Sequence, residues 1–404
     1  MARSDLGTGG VGRRSSDNGA VCYNPGLGCE SRAAACVQGA KRAEVNGVKR
    51  IWLIVVVLMA AVAAIGVIRR SQRGAAAEAL TSVRMSRQVM GTLAAIEAVG
   101  RPGQQESLRK AVEAAYAAVD RVEALMSQYK EDSLVSQINR EAYNQPVPLD
   151  AWTLEVLEQS KRYWDLSGGA FDPTCGPLIE LWKRCGKEDR LPSEEELAEA
   201  KARTGFEKVA IDTAVQPATI RFAAPGMRID LGGIAKGYSI DLAIGALRES
   251  GCAGGLVDIG GDIRSFGRPA DDEQWNVVVQ NPFEQGQLLV LGLNDGSVCT
   301  SGNYHRFAVI RGHRYSHIID PRSGYPAEAT PSVTIVGPEA TGTDALATAV
   351  SVLGAKEGLE VIRRLTGYEA MVVVGTPESF EMARTGGFGR YVERQTDNNG
   401  NGSG

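Results

Sequence analysis

The feature that most constrains this chain is a run of 18 residues without a charge, Ile51 to Ile68, near its beginning. The run reads IWLIVVVLMAAVAAIGVI, with basic residues on both sides of it, in VKR before and RRSQR after. A helix of that length is just long enough to cross a bilayer, whereas a helix of a soluble core is seldom apolar on every face. The run therefore predicts one transmembrane helix at residues 51–68.

Two kinds of membrane-targeting segment fit this run. An uncleaved signal-anchor fits because Arg69, Arg70 and Arg73 separate the run from the next small residues, GAAAEA. A cleaved signal peptide fits if translation begins near Val48. The signal-anchor is the preferred interpretation, with the large C-terminal part outside the cytoplasm, although basic residues on both flanks do not set the orientation by themselves.

The composition of the chain is that of an ordinary globular protein with polar ends. Residues 1–50 are rich in Gly, Ser, Ala and Arg, so we expect this segment to be disordered, and we expect a flexible tail at residues 391–404. The whole chain is 43% hydrophobic and 23% charged, with a net charge of -4. No strongly basic balance is present, so nucleic acid is not an expected partner.

The seven cysteines leave the redox compartment open. Cys22, Cys29 and Cys36 are spaced by seven residues each time, which matches no common zinc pattern. Cys175 and Cys185 are close enough in sequence to form a disulfide, and buried free thiols fit them equally well.

From about residue 86 to residue 390 the pattern is mixed α and β. Residues 106–129 carry apolar side chains at helical spacing. The runs GGLVDIGG, WNVVVQNP, SVTIVGP and MVVVGTP are typical of short strands. YSIDLAIGALRESG predicts a helix that ends at Gly251. TDALATAVSVLGAKEGLEVIRRLTG predicts two helical stretches broken at Gly354, the first of them capped by Thr343 or Asp344.

The start of that last segment contains a candidate metal site. Asp344 and Thr348 are four residues apart, so on a helix they project from the same face. A carboxylate and a hydroxyl are hard oxygen ligands, which suit Mg²⁺ better than zinc. In the alternative interpretation Asp344 only caps the helix and Thr348 bonds back to a carbonyl group.

All three histidines of the chain lie within thirteen residues of one another. His305, His313 and His317 are separated by eight and four residues across a predicted hairpin, which is a poor pattern for zinc. His317 stands where a strand is expected to enter the Pro/Gly turn DPRSGYP. A histidine there can act as a general base or orient a phosphate, or it can be an ordinary surface residue.

Two glycine-containing stretches give only weak indications of a ligand-binding site when each is taken alone. In SGGAFDPTCGPL, Phe171 and Asp172 follow two glycines and could stack on and hydrogen-bond a heterocycle, or they could belong to an ordinary loop. The stretch IDLGGIAKGYSID, residues 229–241, is neither a dinucleotide-binding fingerprint nor a Walker A loop.

Taken together and in order, eight motifs resemble the FAD:protein FMN transferases of the ApbE family. The motifs are VMGT at 89–92, MSQYKEDSLVSQIN at 126–139, GGAFDPTCGPL at 168–178, DLGGIAKGYSID at 230–241, VDIGGDI at 257–263, TSGNYHRF at 300–307, HIIDPRSGYP at 317–326 and TDALATA at 343–349. The resemblance covers roughly residues 85–390. It implies one α/β domain of the α+β kind, related to the T-fold, with a flavin-binding cleft and preceded here by the transmembrane helix.

The resemblance also implies an activity and a set of site residues. The activity is Mg²⁺-dependent transfer of FMN from FAD to a threonine or serine hydroxyl of an acceptor protein, such as a subunit of a redox complex, with release of AMP. Positions that match FAD contacts in the family are Met90, Tyr129, Ala170, Phe171, Asp172, Asp230, Lys236, His317 and Ile318. Positions that match metal ligands are Gly233, Asp344, Ala347 and Thr348, the glycine and the alanine through their main chain. His317 or Asp344 would take the proton of the acceptor hydroxyl.

Two other functions share these contacts. An FAD pyrophosphatase would use water in place of the protein hydroxyl, and a membrane-tethered flavin-binding protein would carry out no reaction. The expected location is the inner, or plasma, membrane, with the catalytic domain on the extracytoplasmic or periplasmic side.

Overall fold

The short β-branched runs of the sequence pair into one large antiparallel sheet. The computed structural model describes residues 79–302, 307–328 and 330–395. The strands are, in chain order, β1 Thr81–Val89, β2 Thr92–Gly100, β3 Val147–Pro148, β4 Val209–Asp212, β5 Thr219–Phe222, β6 Gly254–Ile259, β7 Asp262–Phe266, β8 Trp275–Gln280, β9 Gln287–Leu293, β10 Gly296–Gly302, β11 Phe307–Ile310, β12 His313–Ser316, β13 Ser332–Gly337, β14 Glu369–Thr376, β15 Ser379–Arg384 and β16 Val392–Gln395. Eight of them form the sheet in the order β1-β2-β6-β7-β10-β13-β14-β15, and every neighbouring pair is antiparallel.

Both faces of the central part of this sheet are covered, which explains why β6, β13 and β14 read as nearly continuous apolar runs. In β14, Val372 packs into the cluster that contains the helices, whereas Val373 packs on the opposite side against a smaller sheet of order β16-β9-β8. Neighbouring side chains of a strand point to opposite faces, so a strand buried on both faces needs apolar residues at consecutive positions. The four strands predicted from such runs are all present.

Seven α-helices accompany the sheet within the described ranges. They are α1 Gln105–Met126, α2 Leu134–Glu141, α3 Ala151–Leu166, α4 Gly176–Lys187, α5 Glu194–Ala202, α6 Ala235–Glu249 and α7 Ala340–Arg363. The apolar stripe predicted for the first helix, including Leu108 and Val112, is buried, as is the predicted face of α6. Gly251 follows the last turn of α6 with φ 77°, which confirms the glycine that ends this helix.

The predicted start of α7 was wrong, whereas its predicted break was right. The helix begins at Ala340, before Thr343 and Asp344, so neither of those residues is its cap. Glu339 stands at the cap position but makes no side-chain capping bond. Gly354 has φ 75° and ψ 176°, so the helical run is broken there as expected.

Predictions for the chain ends have different outcomes. Residues 1–50 and the apolar segment 51–68 lie outside the described residues, as do residues 396–404. Val392–Gln395 belonged to the predicted flexible tail but forms β16, which pairs with β9, so the fold extends to Gln395. No helix in the described part of the chain is long and apolar enough to cross a membrane.

A small hairpin and two helices form a separate hydrophobic cluster. The two-stranded β11-β12 hairpin packs on α4 and α5 through a cluster that includes Trp182 and Ile319. Cys185 is a buried free thiol of this cluster, and Cys175 is likewise buried and free.

Candidate active site

The N-terminal turns of α6 and α7 lie against each other and exchange capping carboxylates. Asp241 of α6 accepts hydrogen bonds from the backbone N–H of Ala340, at 2.8 Å, and of Thr341, at 2.8 Å. In return Asp344 of α7 accepts the backbone N–H of Gly237 through Oδ2, at 2.9 Å. The first N–H groups of a helix have no partner within it, so each helix supplies acceptors for the other. The exchange holds together two segments about 100 residues apart in sequence.

Gly237 is needed for this close approach. A Cβ placed on it would overlap the carbonyl oxygen of Ala340 and would lie 2.9 Å from the Cβ of Asp344. Any side chain at this position would therefore push the two helix ends apart.

The exchange brings the predicted metal residues together. Gly233 lies so close to α7 that a Cβ on it would be 3.1 Å from the hydroxyl of Thr348 and 3.3 Å from the ring of Phe171. Asp344 is 4% exposed, and Ala347 lies between it and Thr348 on the same helix and is buried. Among the residues that the structure describes, the Thr348 hydroxyl makes no hydrogen bond. The four predicted ligand positions are thus neighbours, although their roles as ligands remain predictions.

This donor set fits Mg²⁺. One carboxylate, one hydroxyl and main-chain carbonyls are all hard oxygen ligands, and Mg²⁺ at phosphate-processing sites takes few of them from the protein. The close approach of Gly233 to the Thr348 hydroxyl agrees with a small ion held between the loop and the helix.

Lys236 and Asp262 complete the polar cluster. The Nζ atom of Lys236 pairs with Oδ2 of Asp262 and lies 3.7 Å from Oδ1 of Asp344. The other oxygen of Asp262 accepts the N–H of Thr300 at 3.1 Å. Asp262 is only 2% exposed, and sequence reasoning missed it. The available signal was a carboxylate placed directly after the two glycines of VDIGGDI.

The buried free thiol of Cys299 lies beside the polar cluster. Burial, together with the carboxylate of Asp344, raises the pKa of Cys299 to about 12. The thiol donates weakly to the carbonyl of Ala340 and accepts from the hydroxyl of Thr343 at 3.0 Å. Because the thiolate is the nucleophile, a neutral buried thiol of this kind fills a structural position.

The motif SGGAFDPTCGPL forms a buried loop beside Gly233. Ala170 and Phe171 are 2% and 3% exposed, so both are buried, and their predicted contacts with FAD stay predictions. Asp172 accepts hydrogen bonds from the N–H and hydroxyl of Thr174, and from Trp164 and Phe206. Burial raises the pKa of Asp172, and these hydrogen bonds oppose that shift. Its carboxylate therefore holds the loop, and its predicted contact with FAD stays a prediction.

Asp230 connects this loop to the loop that leads into α6, the helix of Lys236. Its backbone N–H donates to the carbonyl of Pro173 at 2.7 Å, and its carboxylate accepts the N–H of Gly232 at 2.9 Å. Burial raises the pKa of the Cys175 thiol well above its usual range, and the nearby carboxylates of Asp172, Asp230 and Asp320 raise it further. The segments 168–178 and 230–236 and the loop after β12 thus meet in one region.

His317 is exposed and follows β12 directly, as predicted for a strand that enters a turn. Its neighbour Ile318 is 9% exposed, and its carbonyl accepts the N–H of Ala327 at 2.8 Å. The turn itself is fixed from α4, because the indole N–H of Trp182 donates to the carbonyl of Gly324 at 2.8 Å. The histidine therefore stands on a well-anchored loop and is open to solvent.

Met90 and Tyr129 lie on other connections. Met90 occupies the β1–β2 turn with φ 49°, and its sulfur accepts the hydroxyl of Ser239 of α6 at 3.5 Å. Tyr129 follows α1, is 78% exposed, and accepts a hydrogen bond from Lys183 at 3.2 Å. Met90 is thus tied to α6, the helix that carries Lys236, and Tyr129 presents its ring to solvent.

Replacing Asp241 with alanine is expected to lower the free energy of unfolding by roughly 2–4 kcal/mol. The variant loses two helix-capping acceptors and leaves Arg264, which pairs with Asp241 at 2.6 Å, without its partner. Urea unfolding of both proteins measures the change. The control is Asp295→Ala, which removes the exposed pair of Asp295 with Arg248 and should cost less than about 1 kcal/mol. Equal losses in the two variants would contradict a structural role for the exchange.

The chain is similar to known proteins over most of its length. The model of the ApbE family matches residues 90–372. A protein of Treponema pallidum named FAD:protein FMN transferase is 34% identical over 299 residues, which are 70% of this chain and 82% of that protein. A Haemophilus influenzae protein of the same name is 31% identical over 77% of this chain and 92% of its own length. The solved structure of the flavin transferase ApbE from Vibrio cholerae is similar with a TM-score of 0.68 and 30% identity, covering 77% of this chain and 99% of that one. The ApbE protein of Thermotoga maritima is similar with a TM-score of 0.69, at 32% identity and the same coverage.

Proposed function

The chain belongs to the ApbE family, and we propose that it transfers FMN from FAD to a threonine or serine hydroxyl of an acceptor protein. The observation that carries the proposal is the meeting of Gly233 and Lys236, at the start of α6, with Thr348 and Asp344 of α7. A cationic side chain, a carboxylate and the predicted metal site would then lie side by side, which supports cleavage of a pyrophosphate here.

The reaction balances without any further reactant. The acceptor oxygen attacks the phosphorus of the FMN half, the bond to the bridging oxygen of the AMP half breaks, and AMP leaves with that oxygen. The acceptor hydroxyl loses its proton to a base. The products are a protein-linked FMN phosphodiester and AMP.

Mg²⁺ would be held by Asp344, Thr348 and the carbonyls of Gly233 and Ala347. When bound, it offsets the negative charge that develops on the pyrophosphate oxygens. Lys236 supplies a second positive charge on a flexible stem, and its side chain is 28% exposed, within reach of a bound phosphate.

His317 is the better placed of the two candidate bases. An acceptor protein approaches from solvent, where His317 is exposed, whereas Asp344 is 4% exposed and gives one oxygen to Gly237. A neutral imidazole can accept the proton of the hydroxyl at physiological pH. Asp344 then binds the cation and, through its hydrogen bond with Gly237, holds the two helices together.

The membrane part of the proposal rests on the sequence of residues 51–68. We place the protein in the inner membrane with this domain on the extracytoplasmic side. Protease added to intact spheroplasts should then degrade the domain, and full protection would contradict this placement.

The function is tested by incubating the full-length protein with FAD, Mg²⁺ and a candidate acceptor subunit of a redox complex. We expect AMP release together with a fluorescent acceptor band on a denaturing gel, and no band when the acceptor threonine is replaced by alanine. FMN and AMP without a labelled acceptor would indicate a pyrophosphatase instead. Binding of FAD without any turnover would indicate a flavin-binding protein.

A further inference from the structure

We propose that Lys236 and a divalent cation compete for Asp344, so that the cation binds tightly only when a pyrophosphate draws the lysine away. The inference rests on the proposed function and adds a way in which the same site is regulated. It makes binding of the metal conditional on binding of the dinucleotide.

The first observation is the position of the ammonium group. The Nζ atom of Lys236 pairs with Asp262 and lies 3.7 Å from Oδ1 of Asp344. The side chains of Asp262 and Asp344 are 3% and 6% exposed, whereas that of Lys236 is 28% exposed. One ammonium group is therefore shared by two buried carboxylates, and it offsets only one of their two negative charges.

The second observation concerns which oxygen of Asp344 remains for a metal. Oδ2 already accepts the N–H of Gly237 at 2.9 Å. A cation that binds this carboxylate would use Oδ1, the oxygen that faces Lys236. A doubly charged ion at that oxygen would lie within several ångströms of the ammonium group, where partial burial strengthens the repulsion between them.

Asp262 decides how strongly the lysine competes. It holds the ammonium group and keeps Nζ at a distance from Asp344 that is longer than a normal charge-assisted hydrogen bond. Without the negative charge of Asp262, the lysine would turn to Asp344 as its remaining partner. Without the positive charge of Lys236, both carboxylates would favour a divalent ion.

The two charges therefore have opposite effects on metal affinity. Removing the charge of Lys236 should strengthen binding of a divalent cation, and removing the charge of Asp262 should weaken it. A lysine and an aspartate that only stabilised the fold would both weaken binding when replaced.

A bound pyrophosphate changes this balance. Its negative charges attract the ammonium group of Lys236, whose partly exposed, flexible stem allows it to move. Asp344 is then released for the cation. Linkage requires that FAD strengthens cation binding and that the cation strengthens FAD binding by the same factor.

The test measures binding of Mn²⁺ to the flavin-free, full-length protein by electron paramagnetic resonance. We expect Lys236→Met to tighten binding by roughly tenfold and Asp262→Asn to weaken it by roughly tenfold, within the usual range of coupling between sites. The control is Lys110→Met, which removes a lysine paired with Glu106 at 3.8 Å on the exposed face of α1. Lys236→Gln, which keeps a hydrogen-bond donor, should tighten binding in the same direction as Lys236→Met.

The linkage is measured separately. FAD affinity of the wild-type protein, followed by flavin fluorescence without an acceptor, should rise when Mg²⁺ is added, and this rise should shrink in Lys236→Met. Weaker or unchanged Mn²⁺ binding in both lysine variants would overturn the proposal. If these binding changes are found but no acceptor is ever labelled, the competition stands and the proposed transfer fails, so the two failures are distinguishable.

Discussion

Replacing Asp344 with asparagine is expected to reduce AMP release from FAD by roughly a hundredfold to a thousandfold, because charge stabilisation by a bound metal is worth several kcal/mol. The amide keeps the shape of the side chain and can still accept the N–H of Gly237 through its oxygen. It loses the negative charge that would hold the metal. AMP release is measured by chromatography over a range of Mg²⁺ concentrations.

Asparagine separates catalysis from folding better than alanine does. Asp344→Ala would leave the buried N–H of Gly237 without an acceptor, at a cost of about 1–3 kcal/mol. A loss of activity in the alanine variant would therefore combine two effects. Thermal unfolding of the asparagine variant close to that of the wild type shows that its loss is chemical.

The control for this experiment is Asp295→Asn, a carboxylate that is 66% exposed in its pair with Arg248. It should release AMP at the wild-type rate. Wild-type turnover in Asp344→Asn would remove Asp344 from the metal site and would leave it only the role of capping α6.

Replacing Gly237 with alanine is expected to lower the free energy of unfolding by about 3 kcal/mol, since overpacking in a close contact costs about that much. The added Cβ would overlap the carbonyl of Ala340, a backbone atom that cannot move without moving α7. Displacement of α7 would also separate Asp344 and Thr348 from Gly233. We therefore expect turnover and Mn²⁺ binding to fall together with stability, measured by urea unfolding and by the assays above.

Gly245→Ala, on the same helix, is the matched control. A Cβ on Gly245 meets no atom within 4 Å. Alanine is a better helix former than glycine by roughly 0.5–1 kcal/mol, so this variant should be unchanged or more stable. Equal destabilisation of the two variants would show that the contact between the helix ends is not the cause.

Local patterns in the sequence were sufficient to predict most of the helices and strands named above. Leu108 and Val112 recur at helical spacing because that face of the helix packs on the core. The β-branched runs likewise mark strands that are buried along their length. The break at Gly354 and the end of α6 at Gly251 also follow from single residues with a special backbone conformation. The motifs that resemble the ApbE family located the candidate site for the same reason, because each motif is a short local segment.

Local sequence patterns did not predict which residues of the candidate site are buried. Phe171 and Asp172 stand in a glycine-containing loop that looks suited to a ligand, yet the ring lies in the core and the carboxylate accepts four hydrogen bonds from protein groups. Asp262 received no role from the sequence, because its partner Lys236 lies on another element. Which polar groups remain available to a substrate depends on neighbours that only the folded chain supplies.

The start of α7 shows most clearly which features the local sequence predicts and which depend on distant residues. By itself the sequence determined that residues around Asp344 are helical and that Asp344 and Thr348 share a face. It suggested a cap at Thr343 or Asp344, because caps are normally found beside the helix that they begin. Only the tertiary structure decided that Asp241 caps α7 from α6 and that Asp344 caps α6 in return. A backbone N–H is satisfied by any acceptor in the right place, so a helix whose acceptor comes from about 100 residues away can begin where the sequence shows no local signal.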